Sequence, residues 1–139
     1  MKKTICALVA AVGMAGCGGV DYTFSGKIDE HTVTYEIPSC GREHLVVTGG
    51  EKVAQKEFYI SGALNFYDDT ADFLNSEKDI SMFCVQNGNE KTCFNSYGMD
   101  RDTYPEAFAE ANKQARYWIS KILDVKRARA LDLVKETPK

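Results

Sequence analysis

From Tyr22 onward, apolar and polar side chains alternate with a period of two. Tyr22, Phe24 and Ile28 alternate with Thr23, Ser25 and Lys27; after Asp29-Glu30, His31, Val33, Tyr35 and Ile37 alternate with Thr32, Thr34 and Glu36. Each run reads as a half-buried strand, and two polar residues between them predict a hairpin. Pro38-Ser39-Cys40-Gly41 ends the second strand, since Pro cannot donate to a ladder. Leu45-Val46-Val47 runs into Gly49-Gly50, which suits a tight primed turn, and Val53 to Ile60 returns. Ser61-Gly62 breaks that strand, and Ala63 to Tyr67 predicts a shorter one. Asp68 to Asp79 reads as an acidic loop or a single helical turn. Ile80 to Gln86 and Glu90 to Tyr97 form the last hairpin, around Asn87-Gly88-Asn89.

The period then changes to 3.6. Thr103-Tyr104-Pro105-Glu106 predicts a helix start, with Thr103 as cap, Pro105 where its missing N–H is harmless, and Glu106 closing a capping box. Phe108, Ala111, Ala115, Trp118, Ile119, Ile122 and Val125 fall on one stripe. Lys126 and Arg129 then take over that stripe, so docking should stop near Val125, with exposed helix continuing to about Lys135. The fold class is α+β: an antiparallel β-meander of about six or seven short strands, with one long C-terminal amphipathic helix (about 104–135) packed on it. The sheet and helix each present one apolar face, and burial pairs them. Trp118 is the expected main anchor.

Before Tyr22 stands a different kind of segment. Met1-Lys2-Lys3 is basic, and Thr4 to Gly16 carries no charge. A helix of that length spans roughly 20 Å, short of the ~30 Å hydrocarbon core, so the segment reads as a signal peptide's apolar region. Met14-Ala15-Gly16-Cys17 resembles the lipobox of bacterial lipoproteins, with Met14 where the family commonly has Leu. The resemblance covers residues 1–17. It implies removal of the signal peptide 1–16 and a lipidated Cys17, with diacylglycerol on the thiol and a further acyl chain such as palmitate on the amine. Residues 17–21 become a lipidated tether, and 22–139 a single domain. It further implies a cell-envelope location on the non-cytoplasmic side; Gly18, rather than Asp, resembles the outer-membrane sorting pattern. Several acyl chains anchor stably where one does not. Five extended residues reach at most ~18 Å, which keeps the body against the bilayer.

Charge is distributed unevenly. Residues 18–112 carry seven Lys/Arg against seventeen Asp/Glu, and residues 113–139 carry eight against three. An acidic sheet attracting a basic helix accounts for this; the sharper reading turns the basic end toward anionic lipid or polymer.

With Cys6 removed and Cys17 lipidated, Cys40, Cys84 and Cys93 remain in an oxidising compartment. A two-residue turn at Gly88-Asn89 pairs Asn87 with Glu90, Gln86 with Lys91, Val85 with Thr92 and Cys84 with Cys93. The cysteines then face each other in a non-hydrogen-bonded pair with Cα atoms ~4.5 Å apart, within disulfide reach. A turn at Asn87-Gly88 would instead set them diagonally. A Cys84–Cys93 disulfide is expected, leaving Cys40 as the odd thiol. His44 and Arg42 nearby could activate a Cys40 thiolate, but no third group to hold the base is visible. Cys40, His44 and His31 fall short of a metal-site pattern, and Asp68, Asp69 and Asp72 lack the calcium-loop spacing.

No phosphate-binding glycine motif, serine elbow, paired-carboxylate site or aromatic–basic nucleic-acid surface is present. The reading is therefore a non-catalytic binding module in the envelope, held to the membrane by its lipid and contacting an envelope protein partner. No nucleic acid, metal or cofactor is implied. The alternative is a carrier of a lipid or small apolar ligand. A Cys40-dependent enzyme comes third.

Overall fold

A computed structural model describes residues 19–49, 55–65, 68, 70–96 and 99–136 of the chain. The lipobox, Cys17 and Gly18 lie outside these residues. The strands β1 (Val20–Ile28), β2 (His31–Pro38), β3 (Glu43–Thr48), β4 (Gln55–Ile60), β5 (Met82–Asn87) and β6 (Glu90–Asn95) pair antiparallel in sequence order, a six-stranded meander with β1 and β6 at its edges. Helix α1 (Met99–Thr103) and the long helix α2 (Pro105–Glu136) follow.

The register accounts for the alternation. Ile28 pairs with His31 across Asp29-Glu30, both of which adopt positive φ (52° and 66°), as a two-residue primed turn demands. Across the sheet, Phe24, Val33, Tyr35, Leu45, Val47, Phe58, Ile60 and Phe83 share one buried face. Against it α2 lays Phe108, Ala111, Ala115, Trp118, Ile119, Ile122 and Leu123, all buried, with Val125 partly buried. Ala115, Ile119 and Ile122 are the most enclosed. Trp118 instead closes the end of the β1–β2 hairpin, its ring 5.1 Å from that of His31.

The helix crosses the strands instead of running along them. Phe108 meets Phe83 of β5 edge-on at 5.0 Å, Lys56 of β4 donates to Gln114 (2.9 Å), and Arg129 lies 4.9 Å over the Phe24 ring of β1. α2 thus travels from the β6 side to the β1 edge.

Two expectations change, and a third, the helical turn within the acidic segment, is met. The fifth strand anticipated at 63–67 is absent where the chain is described: only Asn65 pairs, in an isolated bridge with Thr70, and Phe66 and Tyr67 lie outside the described residues. The Ala63 backbone is occupied elsewhere, its N–H by the Glu43 carboxylate (2.8 Å) and its C=O by the Phe73 N–H (3.3 Å). Next, Asp72–Asn75 forms a single 3-10 turn within the acidic segment. Finally, Thr103 does not cap α2, because it ends α1. The break falls one residue later, at Tyr104, where a following proline disfavours helical backbone and supplies no N–H.

The segment 72–80 is fastened to α2 by side chains. Arg116 donates to the carbonyls of Phe73, Ser76 (3.2 Å) and Lys78 (2.8 Å) and lies over the Phe73 ring, while Asn112 accepts from the Ile80 N–H at 2.8 Å. No described helix is long and apolar enough to cross a membrane.

Candidate functional site

Strand alternation sends Glu57, Tyr59, His44 and Cys84 to the sheet face opposite α2. There His44 lies beside Tyr59 and Val46 beside Glu57 across the β3–β4 ladder, and Glu57 faces Cys84 across β4–β5. Glu57 is only 5 % exposed, and four donors converge on it. His44 Nε2 (3.1 Å) and Tyr59 Oη (3.2 Å) reach one carboxylate oxygen; Gln55 Nε2 (3.0 Å) and Lys91 Nζ (3.1 Å) reach the other. These hydrogen bonds, that of His44 foremost, outweigh the cost of burial and hold the carboxyl down to about 2. Burial and the adjacent carboxylate push the Tyr59 phenol up to about 12, so it stays a donor. The His44 and Tyr59 rings stack at 4.5 Å and 13°, and the Arg42 guanidinium caps the stack 5.3 Å above Tyr59 while donating to Ser81 Oγ at 3.1 Å. The result is an ordered strip of cation, rings and buried carboxylate on the face that α2 leaves uncovered.

Beside the strip, Cys84 and Cys93 form a disulfide with Cα atoms 4.0 Å apart. The register is that of the Gly88-Asn89 turn, with Asn87 opposite Glu90 and Cys84 opposite Cys93. Gly88 takes φ 59°, a conformation open to glycine at little cost.

Cys40 is not the odd thiol. It is disulfide-bonded. In that state it offers no thiolate, and His44 is engaged with Glu57 instead of serving as its base. His31 and His44 point to opposite faces, the first against Trp118 and the second against Tyr59, so they cannot share a ligand. Among the described residues no three His, Cys, Asp or Glu side chains converge as metal ligands. Asp68 is exposed and accepts from Asn65 (3.2 Å), Asp72 is exposed in the 3-10 turn, and Asp69 lies outside the described residues.

Two further features are internal. Tyr35 donates to Glu43 inside the core, where burial raises the Glu43 carboxyl despite donors from Tyr35 and the 62–64 backbone. An open pocket of about 440 Å³ lies where α1 and α2 meet the segment before β5, lined by Asp79, Arg101, Asp102, Phe108 and Asn112 and spanned by an Arg101–Asp79 ion pair.

The Glu57 cluster was not foreseen. The alternation in Val53 to Ile60 puts Glu57 and Tyr59 on one side, but meeting His44 and Lys91 depends on long-range registers: Thr48 pairs with Gln55, so residues 49–54 join β3 to β4 in place of the tight turn expected at Gly49-Gly50, and the longer β4–β5 connection follows no turn rule.

Compared with protein-family models, with characterised proteins and with solved structures, the chain has no match.

Proposed function

We propose that the chain is a small envelope lipoprotein, anchored through Cys17, whose uncovered sheet face binds a protein or other envelope component without catalysis. The observation that carries the binding role is the strip of Arg42, Tyr59, His44 and Glu57. Its side chains are already fixed by one another, so little conformational freedom is left to lose on association. Arg and Tyr are also the residue types enriched among interface anchors. The anchor rests on the lipobox resemblance. The carrier alternative draws less support, because the sheet is open at β1 and β6 and its covered face is filled by Tyr35, Phe58, Leu45 and Ile60, each at most 1 % exposed.

Intact-mass and peptide mapping of the mature protein test the anchor. Acyl groups on Cys17 support it; a Cys17–Cys40 disulfide, or a leading residue without acyl groups, overturns the anchor. Crosslinking in the native membrane tests the face: Tyr59→Ala with Arg42→Ala should abolish the crosslinked product. A product that survives both substitutions moves the contact elsewhere.

A further inference from the structure

The fold brings the start of the described chain and the basic end of α2 to one edge. Lys126 Nζ lies 5.7 Å from the Tyr22 ring centroid and the Arg129 guanidinium 4.9 Å from that of Phe24, so α2 crosses β1 within a few residues of where the sheet begins. From Arg129 to Glu136 the helix runs on for about 10 Å at 1.5 Å per residue. Along this stretch Arg127 and Arg129 are exposed, and so are Leu131 (61 %) and Leu133 (67 %). Leu133 continues the stripe that Ile122 and Arg129 occupy, which means that the sheet has ended beneath it; Leu131 points the other way. The projecting end is therefore apolar on two sides with cations between, unlike a helix face waiting for a single groove.

We propose that this edge, β1 together with the projecting end of α2, rests on an anionic phospholipid surface. Arg127 and Arg129 would meet lipid phosphates, and Leu131 and Leu133 would enter the headgroup boundary. Charge complementarity favours this occupant: from Lys126 to Glu136 the helix carries Lys126, Arg127, Arg129 and Lys135 against Asp132 and Glu136, whereas residues 18–112 hold seventeen acidic residues against seven basic ones. Position favours it as well. The inference rests on the proposed anchor, since β1 begins three residues after Cys17 and a tether so short would keep the start of β1 near the bilayer.

The test uses the full mature protein in nanodiscs of phosphatidylethanolamine with or without phosphatidylglycerol, read by amide hydrogen exchange. Exchange in residues 128–136 should slow at least fivefold on the anionic discs relative to the neutral ones, and raising salt should reverse the effect. Arg127→Gln with Leu131→Ser, both exposed positions, should abolish the slowing while leaving exchange in β2–β4 unchanged. Equal exchange on the two discs overturns the proposal. So does slowing that follows protein concentration rather than lipid charge, which would mark contact with a second copy. If mass analysis finds no acyl group on Cys17, the anchor falls by itself. Cosedimentation of the same protein with the two lipid mixtures then decides the surface: preference for the anionic vesicles supports it, and no preference removes it.

Discussion

Glu57 is an acid kept ionised by its neighbours on a sheet face that water reaches. Its depressed pKa makes stability depend on pH in a defined direction. A carboxyl whose folded value lies below its unfolded value contributes stability that is fully present above the unfolded value and is lost as pH falls through the folded one. For Glu57 that window runs from its ordinary 4.5 down to about 2, and the loss across it is on the order of 3 kcal/mol. Glu43 works in the opposite sense: burial raises its carboxyl, which favours the folded state at low pH and costs stability as pH rises through its folded value. Comparison with Glu57→Gln separates the two. The variant should be less stable at pH 7 by about 1–3 kcal/mol, because Lys91 loses its counter-ion and His44 a charged acceptor. The gap should close as pH falls from 5 to 2. Urea unfolding at each pH measures it, and a gap of constant size would show that Glu57 is not held down.

At the scale of elements, local rules carried far and long connections did not. The β1–β2 hairpin was legible because two polar residues separated two alternating runs, and the turn forms even though Asp29 and Glu30 must take the left-handed conformation glycine prefers. The β5–β6 register and the Cys84–Cys93 bond followed from counting outward from Gly88-Asn89. The stripe on α2 gave its docked face apart from Leu123, which is buried beside it and was not on the stripe. What the sequence did not announce was set by tertiary contacts: the buried Glu43 carboxylate claims the Ala63 N–H, and Ala63 and Leu64 join no strand, while α1 forms just before a proline that looked like the start of a single helix. The Glu57 cluster belongs to the same class, since its members come from three strands. The disulfide yields the prediction for this scale. Replacing both Cys84 and Cys93 by Ser removes a short covalent loop and should cost roughly 2–3 kcal/mol. The cost should disappear when wild type and variant are compared under full reduction. A large difference that persists in reductant would place the effect in packing of the buried Cys84 side chain.

Across the whole molecule, α2 has two parts with different jobs, and the division falls at the β1 edge. Up to Val125 its side chains exclude water from the sheet; from Arg129 to Leu133 they are exposed and contribute little burial. An isolated helical end of this length is marginal in water and is held mainly by the turns preceding it. Ending the chain after Ala130 should therefore change the unfolding free energy by no more than about 1 kcal/mol, as surface changes away from packed features usually do. Ending it after Ser120 should abolish cooperative unfolding, because Ile122 and Leu123, buried in the same core as Leu45 and Phe58, are then lost. Thermal melts of the two truncations give the comparison. A projecting end that can be removed without loss of the fold is open to a role other than folding, and the proposed contact with lipid phosphates would be such a role. Should the chain ending after Ala130 melt far below the full chain, the end of α2 is part of the core after all.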